Sequence, residues 1–311
     1  MLPHDQALRE NGFTIFRGLF SQAECAEIST EFKQAAGIVE GEHFTRTDAT
    51  NKIPATRRVL FDERVLEAVR SSLGEEQIRF LQPSDLHYRH DTNGWHRDSV
   101  HRSEDSSDAP DWSLDHGPFK VVKAILYLES DNAAMGIMPG SHLSPREIDK
   151  DRVLIQEQRH QYVVVDVGDE PNRRFSAEEK ARPMAWRASV GDVLVFDQRM
   201  YHAGRRVDYG RVTKHREAAK FTLSLVFGLD NMHSDRFYSY FRFARREIGY
   251  HSFPADFLAE LKARDLILAN GLGNYYEQHP DELRLATLRK PETMDALVEE
   301  FRRAGLAATS P

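Results

Sequence analysis

Cysteine is nearly absent: Cys25 is the only one among 311 residues. One thiol cannot build a disulfide framework, nor a thiolate-rich zinc or iron–sulfur centre within one chain, and such usage fits a reducing cytoplasm. Long apolar runs are missing too, so no segment approaches the roughly 20 residues that span a bilayer. The opening stretch MLPHDQALRENG carries charges where a signal peptide needs an apolar core. A cytoplasmic protein, neither exported nor membrane-embedded, is the expectation. Positive charge is not in excess, since 42 Lys and Arg stand against 49 Asp and Glu, a formal charge of −7. Such a chain repels phosphate backbones, which argues against nucleic acid as a partner. There is no internal repeat and no low-complexity tract. What is present is an ordinary globular composition, 40% hydrophobic and 29% charged, in a chain long enough to bury a substantial core.

Helical covering material around a short strand is expected first. Ser21 and Glu24 have the spacing of a capping box and start a helix through about Ala36, after a strand over Phe13 to Phe16. A second helix is expected from Asp62 to Leu73, because Val65, Leu66, Val69 and Leu73 share one face and Gly74 provides a stop. From Ile78 to about Phe227 the texture changes to short β-type runs separated by turns. They are Ile78 to His90, Phe119 to Leu128, Tyr162 to Val167, Met184 to Ala188, Val193 to Phe196 and Ala219 to Phe227. That density predicts an antiparallel sandwich or barrel rather than a sheet whose strands alternate with helices. The expected fold is therefore mainly β with covering helices. Residues 1–229 form a jelly-roll domain with N-terminal helices, and residues 230–311 a C-terminal helical extension packed on the same domain. Within the extension, Phe257 to Leu268 and Pro291 to Arg303 have helical periodicity.

Two His-x-Asp triplets occur, His96-Arg97-Asp98 and His233-Ser234-Asp235, and in a chain with 14 histidines such a triplet alone is a weak motif. The first sits at the start of the β region, after the turn-forming Asp91-Thr92-Asn93-Gly94. Residues two apart in extended chain point to the same side and can grip one ion. The second opens the helical tail, where a two-residue offset turns side chains about 200° apart. A third ligand must come from elsewhere, and Tyr201-His202-Ala203-Gly204 follows the strand Val193 to Phe196. His96, Asp98 and His202 supply two imidazoles and one carboxylate. On one face of an octahedral iron(II) they leave three positions, enough for a bidentate 2-oxo acid and dioxygen. Zinc or manganese suits the same donors.

Four segments carry a family likeness. They are Asn11-Gly12-Phe13-Thr14-Ile15-Phe16-Arg17-Gly18-Leu19, Trp95-His96-Arg97-Asp98, Met135-Gly136-Ile137-Met138-Pro139-Gly140-Ser141-His142, and Gly191-Asp192-Val193-Leu194-Val195-Phe196-Asp197 running on to His202. Over about residues 8 to 228 the chain resembles the phytanoyl-CoA dioxygenase family of iron/2-oxoglutarate oxygenases. The resemblance implies a double-stranded β-helix core, iron(II), 2-oxoglutarate as co-substrate, and its oxidative decarboxylation to succinate. Related halogenases replace the carboxylate ligand by a small residue so that chloride can bind. Asp98 is present here, which favours hydroxylation or another oxidative outcome. His142 reads as shaping a turn, since the triad is complete without it, and Gly191-Asp192 as a turn feeding the next strand.

The sequence departs from the family at the residue, usually arginine, that clamps the far carboxylate of 2-oxoglutarate from the strand after the distal histidine. Over Ala219 to Phe227, Lys220, Thr222 and Ser224 share one face while Phe221, Leu223, Leu225 and Phe227 share the other. The apolar face should pack on covering helices and the polar face should point into the barrel. Lys220 with Thr222 is the first candidate for that carboxylate, and Arg216 and Arg211 are runners-up. A solvated lysine at a strand edge is the other reading.

Around the metal candidates the chain is polar: His87, Arg89, His90 and Asp91 precede the triplet, and His101 and Arg102 follow it. A polar small molecule fits better than a fatty acyl thioester, with Arg89, His101, Arg102 and Trp112 as candidate substrate residues. Sugar-containing or aminated natural products, aminoglycoside-like antibiotics among them, are the leading class. The stretch Ser103 to His116 sets Glu104, Asp105, Asp108, Asp111 and Asp115 around Trp112, and reads either as a solvated loop or as an acidic lid. Two other functions stay open: a cupin-type metal-dependent hydrolase or isomerase, active without oxygen, and a jelly-roll module that binds a ligand without turnover.

Overall fold

Strands that are apolar on both faces need cover on both sides, and this chain supplies it with a second sheet on one side and helices on the other. The computed structural model describes residues 1–89, 94–99, 110–130, 133–146, 148–159, 161–166, 169–208, 211–213, 220–245 and 248–287, with the backbone alone at 133–134, 206–208, 211–213 and 284–287. Its strands are β1 (Phe13–Phe16), β2 (Phe44–Thr47), β3 (Arg79–Tyr88), β4 (Val122–Ser130), β5 (Ala133–Ile137), β6 (Val163–Val165), β7 (Met184–Arg187), β8 (Val193–Asp197), β9 (His202–Asp208), β10 (Arg211–Thr213) and β11 (Lys220–Gly228). A six-stranded sheet runs β1-β8-β4-β11-β3-β2 and a five-stranded one β10-β9-β5-β7-β6. Among the described residues only β6 and β7 pair in parallel. Neighbours in space that are distant in sequence, such as β1 with β8 and β4 with β11, make this a jelly-roll, double-stranded β-helix core.

The alternation of the larger sheet sorts its side chains. On β8, Val193 and Val195 join the core under the helices, while Leu194 and Phe196 join the core between the sheets. On β4, Val122, Ala124, Leu126 and Leu128 face the helices and Ile125 and Tyr127 face inward. On β11, Phe221, Leu223, Leu225 and Phe227 belong to the helix-side core, so its polar residues are left on the inner face. The helices Gln22–Ala36 and Glu63–Leu73 supply that cover. The first opens on the capping box of Ser21 and Glu24, and the second ends at Gly74, left-handed at φ 65. Gly191 turns the chain into β8 at φ 87, where a Cβ would stand 1.9 Å from the Phe20 carbonyl oxygen.

The C-terminal part adds helices Met232–Ser239, Ala255–Ala263, Tyr275–Gln278 and Pro280–Thr287, with a π-helical turn over Tyr240–Ala244. The helix expected over Phe257 to Leu268 stops at Ala263, because Asp265 turns left-handed at φ 53 and Arg79 takes its carbonyl at 2.6 Å. Phe257 packs against Phe80 of β3 with ring centroids 6.3 Å apart. The helix expected over Pro291 to Arg303 lies outside the described residues. No helix among the described residues is long and apolar enough to cross a membrane.

Candidate active site

β9 begins at His202, which forms an isolated bridge with His96; each residue's N–H donates to the other's carbonyl at 3.0 Å. Just beyond, the N–H groups of Asp98 and Ser99 both donate to the Gln198 carbonyl, at 3.1 and 2.8 Å. The triplet is thereby held extended, so His96 and Asp98 face one side and Arg97 the other. Arg97 is buried over the Tyr201 ring at 4.1 Å and donates to the carbonyls of Ser141, Ser144 and Pro145 at 2.8, 2.6 and 2.8 Å. The Pro139-Gly140-Ser141-His142 turn is thus the anchor to which the His96-Arg97-Asp98 segment is tied. His142 lies buried in that turn, where its Nε2 pairs with the Arg9 carbonyl at 3.1 Å.

A carbonyl only accepts, so both imidazoles carry their proton on Nδ1: His96 donates to Gly94 at 2.7 Å and His202 to Met200 at 3.1 Å. This leaves each Nε2 lone pair available, 3.5 and 3.4 Å from the Asp98 carboxylate oxygens. The three donor groups lie within 4.8 Å of one another and are the candidate metal-ligand cluster found among the described residues. Burial by itself raises the Asp98 carboxyl. The ammonium of Lys123, 2.5 Å from Oδ2, opposes it and holds the group well below the usual range, so Asp98 is an anion.

These side chains border a cavity of about 360 Å³, within the size range of small-molecule sites. Its floor is the inner face of the larger sheet: Asp85 and His87 from β3, Lys123 and Tyr127 from β4, and Lys220, Thr222 and Ser224 from β11. Phe237, Phe241, Arg245 and Tyr250 close another side. Burial alone pushes the Lys220 ammonium down to about 8, and no side chain among the described residues pairs with it. Gln198, fully buried on the cavity wall, has no hydrogen-bond partner among the described residues for either amide atom.

The structure separates several expected site residues from the cavity. Trp112 gives its indole N–H to the His142 carbonyl at 2.9 Å and stacks against Arg97 at 4.9 Å, so it buttresses the anchoring turn and is not among the cavity-lining residues. Arg89 is also not among them; its backbone turns left-handed at φ 50 and donates to the Lys220 carbonyl at 2.9 Å. His101, Arg102, Arg216 and the first half of the expected lid, including Asp108, lie outside the described residues, and Arg211 is described by its backbone in β10 alone. The second triplet is dispersed on its helix: His233 pairs with the Gly117 carbonyl at 3.1 Å and Asp235 with Asn270. Sequence reasoning missed Lys123, Asp85, Gln198 and Tyr250. For Lys123 the signal was there, a lone cation in phase with the inward Ile125 and Tyr127.

Asp111 is no lid residue. It is 1% exposed and meets the fully buried Arg236 at 3.3 Å, which also binds Glu282 at 2.7 Å. Asp111→Ala removes one of the two counter-charges of that guanidinium and leaves Glu282, and is expected to cost about 1.5 to 3 kcal/mol in denaturant unfolding rather than to change substrate affinity.

The family model for phytanoyl-CoA dioxygenase (PhyH) matches residues 8–208. No curated protein matches the chain. Among solved structures, the non-haem, alpha-ketoglutarate-dependent epimerase SnoN from nogalamycin biosynthesis is similar at 16% identity and a TM-score of 0.48, over 73% of this chain and 82% of that one. Iron-bound HygX from Streptomyces hygroscopicus gives 20% identity and 0.47, over 72% and 84%. EctD from S. alaskensis, with 2-oxoglutarate and 5-hydroxyectoine, gives 15% and 0.47, over 73% and 75%. The family model covers most of the chain, the residues it matches include His96, Asp98 and His202, and the chain accordingly belongs to the phytanoyl-CoA dioxygenase family of non-haem iron(II), 2-oxoglutarate-dependent enzymes.

Proposed function

We propose that this enzyme holds iron(II) through His96, Asp98 and His202, takes 2-oxoglutarate on Lys220 and Thr222, and hydroxylates or otherwise oxidatively tailors a polar small molecule. Sugar-containing or aminated natural products are the leading substrate class. The observation that carries the reading is the convergence of two Nε2 lone pairs and one anionic carboxylate at the edge of a small-molecule-sized cavity. The donor set fits iron(II): three ligands on one face, each fixed by its own hydrogen bonds.

Iron(II) bound there with 2-oxoglutarate supplies dioxygen activation, coupled to oxidative decarboxylation of the co-substrate to succinate. The chain's own residues do the rest. The main-chain carbonyls of Gly94 and Met200 fix the imidazole tautomers, Lys123 holds an oxygen of Asp98, and Arg97 locks the segment to the anchoring turn. Lys220 provides the buried cation that a buried carboxylate requires. The test is oxygen-dependent release of succinate from 2-oxoglutarate, lost on chelation and restored by iron(II).

The lowered pKa of Lys220 gives a pH dependence of definite sign. A carboxylate binds the ammonium form, which predominates below a pKa of about 8 and declines as pH rises through it. The apparent KM for 2-oxoglutarate should be flat at lower pH and rise by up to about tenfold per pH unit beyond that point, until the pKa of the bound form is passed. Initial-rate titrations between about pH 7 and pH 9.5 check this, and Lys220→Arg should flatten the rise.

A further inference from the structure

We infer that Asp85, with Tyr250 at its carboxylate and the rings of Phe237 and Phe241 lining the same cavity, is the binding site for an ammonium group of the substrate, so that the enzyme acts on an amine-bearing molecule. The inference rests on the reading of this cavity as the active site and narrows its substrate.

Asp85 stands on the inner face of β3, opposite Ser224 of β11 and Thr47 of β2. Its Oδ1 accepts a hydrogen bond from the Tyr250 hydroxyl at 3.3 Å. Ser224 donates to its main-chain carbonyl at 3.4 Å. Burial raises the Asp85 carboxyl, the charge of Asp98 adds to this, and Lys123 opposes both. That lysine is committed elsewhere, with its Nζ 2.5 Å from Asp98. A neutral phenol at 3.3 Å offsets little of the cost of a buried carboxylate. Burial and the nearby Asp85 raise Tyr250 well above its usual range, so the phenol keeps its proton and serves as a donor. Asp98, the other acid lining the cavity, is claimed by Lys123 and, on the proposed function, by the metal. Asp85 is the acid that the iron and co-substrate chemistry leaves unused.

Its surroundings select the kind of counter-charge. The Tyr250 ring meets Phe241 edge-on at 5.8 Å, Phe241 lies 4.8 Å from Phe237, and all three rings line the cavity with Asp85. Phe237 and Phe241 are four residues apart where the helix passes into its π-helical turn, and so share a face. Aromatic faces beside a carboxylate stabilise an ammonium twice, through the acid and through the ring quadrupoles. An alcohol could take the hydrogen bond but would leave the charge unbalanced. Elsewhere on the wall Lys220 and Arg245 are cations, so an amine finds its counter-charge at Asp85.

The test is anaerobic calorimetric titration of the protein loaded with iron(II) and 2-oxoglutarate, using matched probes: glucosamine against glucose, and cyclohexylamine against cyclohexanol. Each amine should bind at least about tenfold more tightly than its alcohol, and Asp85→Asn should erase the difference while leaving alcohol binding and the visible charge-transfer band of the iron chelate unchanged. Asp85→Ser replaces it should Asp85→Asn fail to fold. Equal binding of amine and alcohol, no binding of either amine, or a preference that survives loss of the carboxylate would each overturn the inference. An amine preference in wild-type protein that forms no chelate band would sink the oxygenase reading instead, leaving the Asp85 site standing.

Discussion

Asp98→Ala is expected to lower oxygen-dependent succinate release by at least about a thousandfold, because one substitution removes both a ligand and the charge that neutralises the ion. A second effect adds to the first. Lys123 sits 2.5 Å from the Asp98 carboxylate and is only 15% exposed; without that anion its ammonium faces the metal position directly, and like charges repel. Iron affinity should therefore fall further than the loss of one of three ligands suggests, although two imidazoles remain. Asp98→Asn keeps the shape without the charge and should rescue little. Succinate quantified under air, with iron content measured on the same samples, checks both expectations. Turnover near the wild-type rate in either variant would exclude Asp98 from the metal site.

Lys220→Ala should raise the concentration of 2-oxoglutarate needed for half-maximal rate about a hundredfold, equivalent to roughly 3 kcal/mol, because the carboxylate then enters a buried space without its cation. Iron binding should stay nearly intact, since Lys220 touches none of His96, Asp98 or His202. Lys220→Arg should recover much of the loss, as arginine offers two parallel donors where lysine offers a point charge. Arg216→Ala should do far less than Lys220→Ala. The reverse ranking in 2-oxoglutarate titrations would move the carboxylate site off β11.

Apart from the partly exposed edge strand β2, which was not read, the larger sheet was legible because its strands obey one rule: apolar residues on both faces where both faces are covered, and polar residues on one face where the cavity lies. Lys220, Thr222 and Ser224 could be assigned to the inner face of β11 from alternation alone, and they line the cavity. The smaller sheet was harder to read. β5 is Ala133–Ile137, with small residues and a glycine, and β9 opens on His-Ala-Gly-Arg-Arg, which has no apolar period. Arg205 is 1% exposed there only because Glu157 binds its guanidinium at 2.7 Å, and pairing across distant sequence leaves no local trace. The same reason hid the pairing of Asp111, which reads as a loop acid in the sequence, with the buried Arg236. Tyr250 was out of reach for another reason: a residue from the C-terminal extension touches Asp85 only through tertiary packing.

Anaerobic addition of iron(II) and then 2-oxoglutarate to the purified protein tests the assignment of the metal centre most directly. Ligation by His96, Asp98 and His202, with three positions left for a chelating 2-oxo acid, requires a weak visible charge-transfer band that appears only with both components. The band should be absent in His96→Ala and His202→Ala. Its absence from the wild-type protein, or its persistence in both histidine variants, would contradict the assignment.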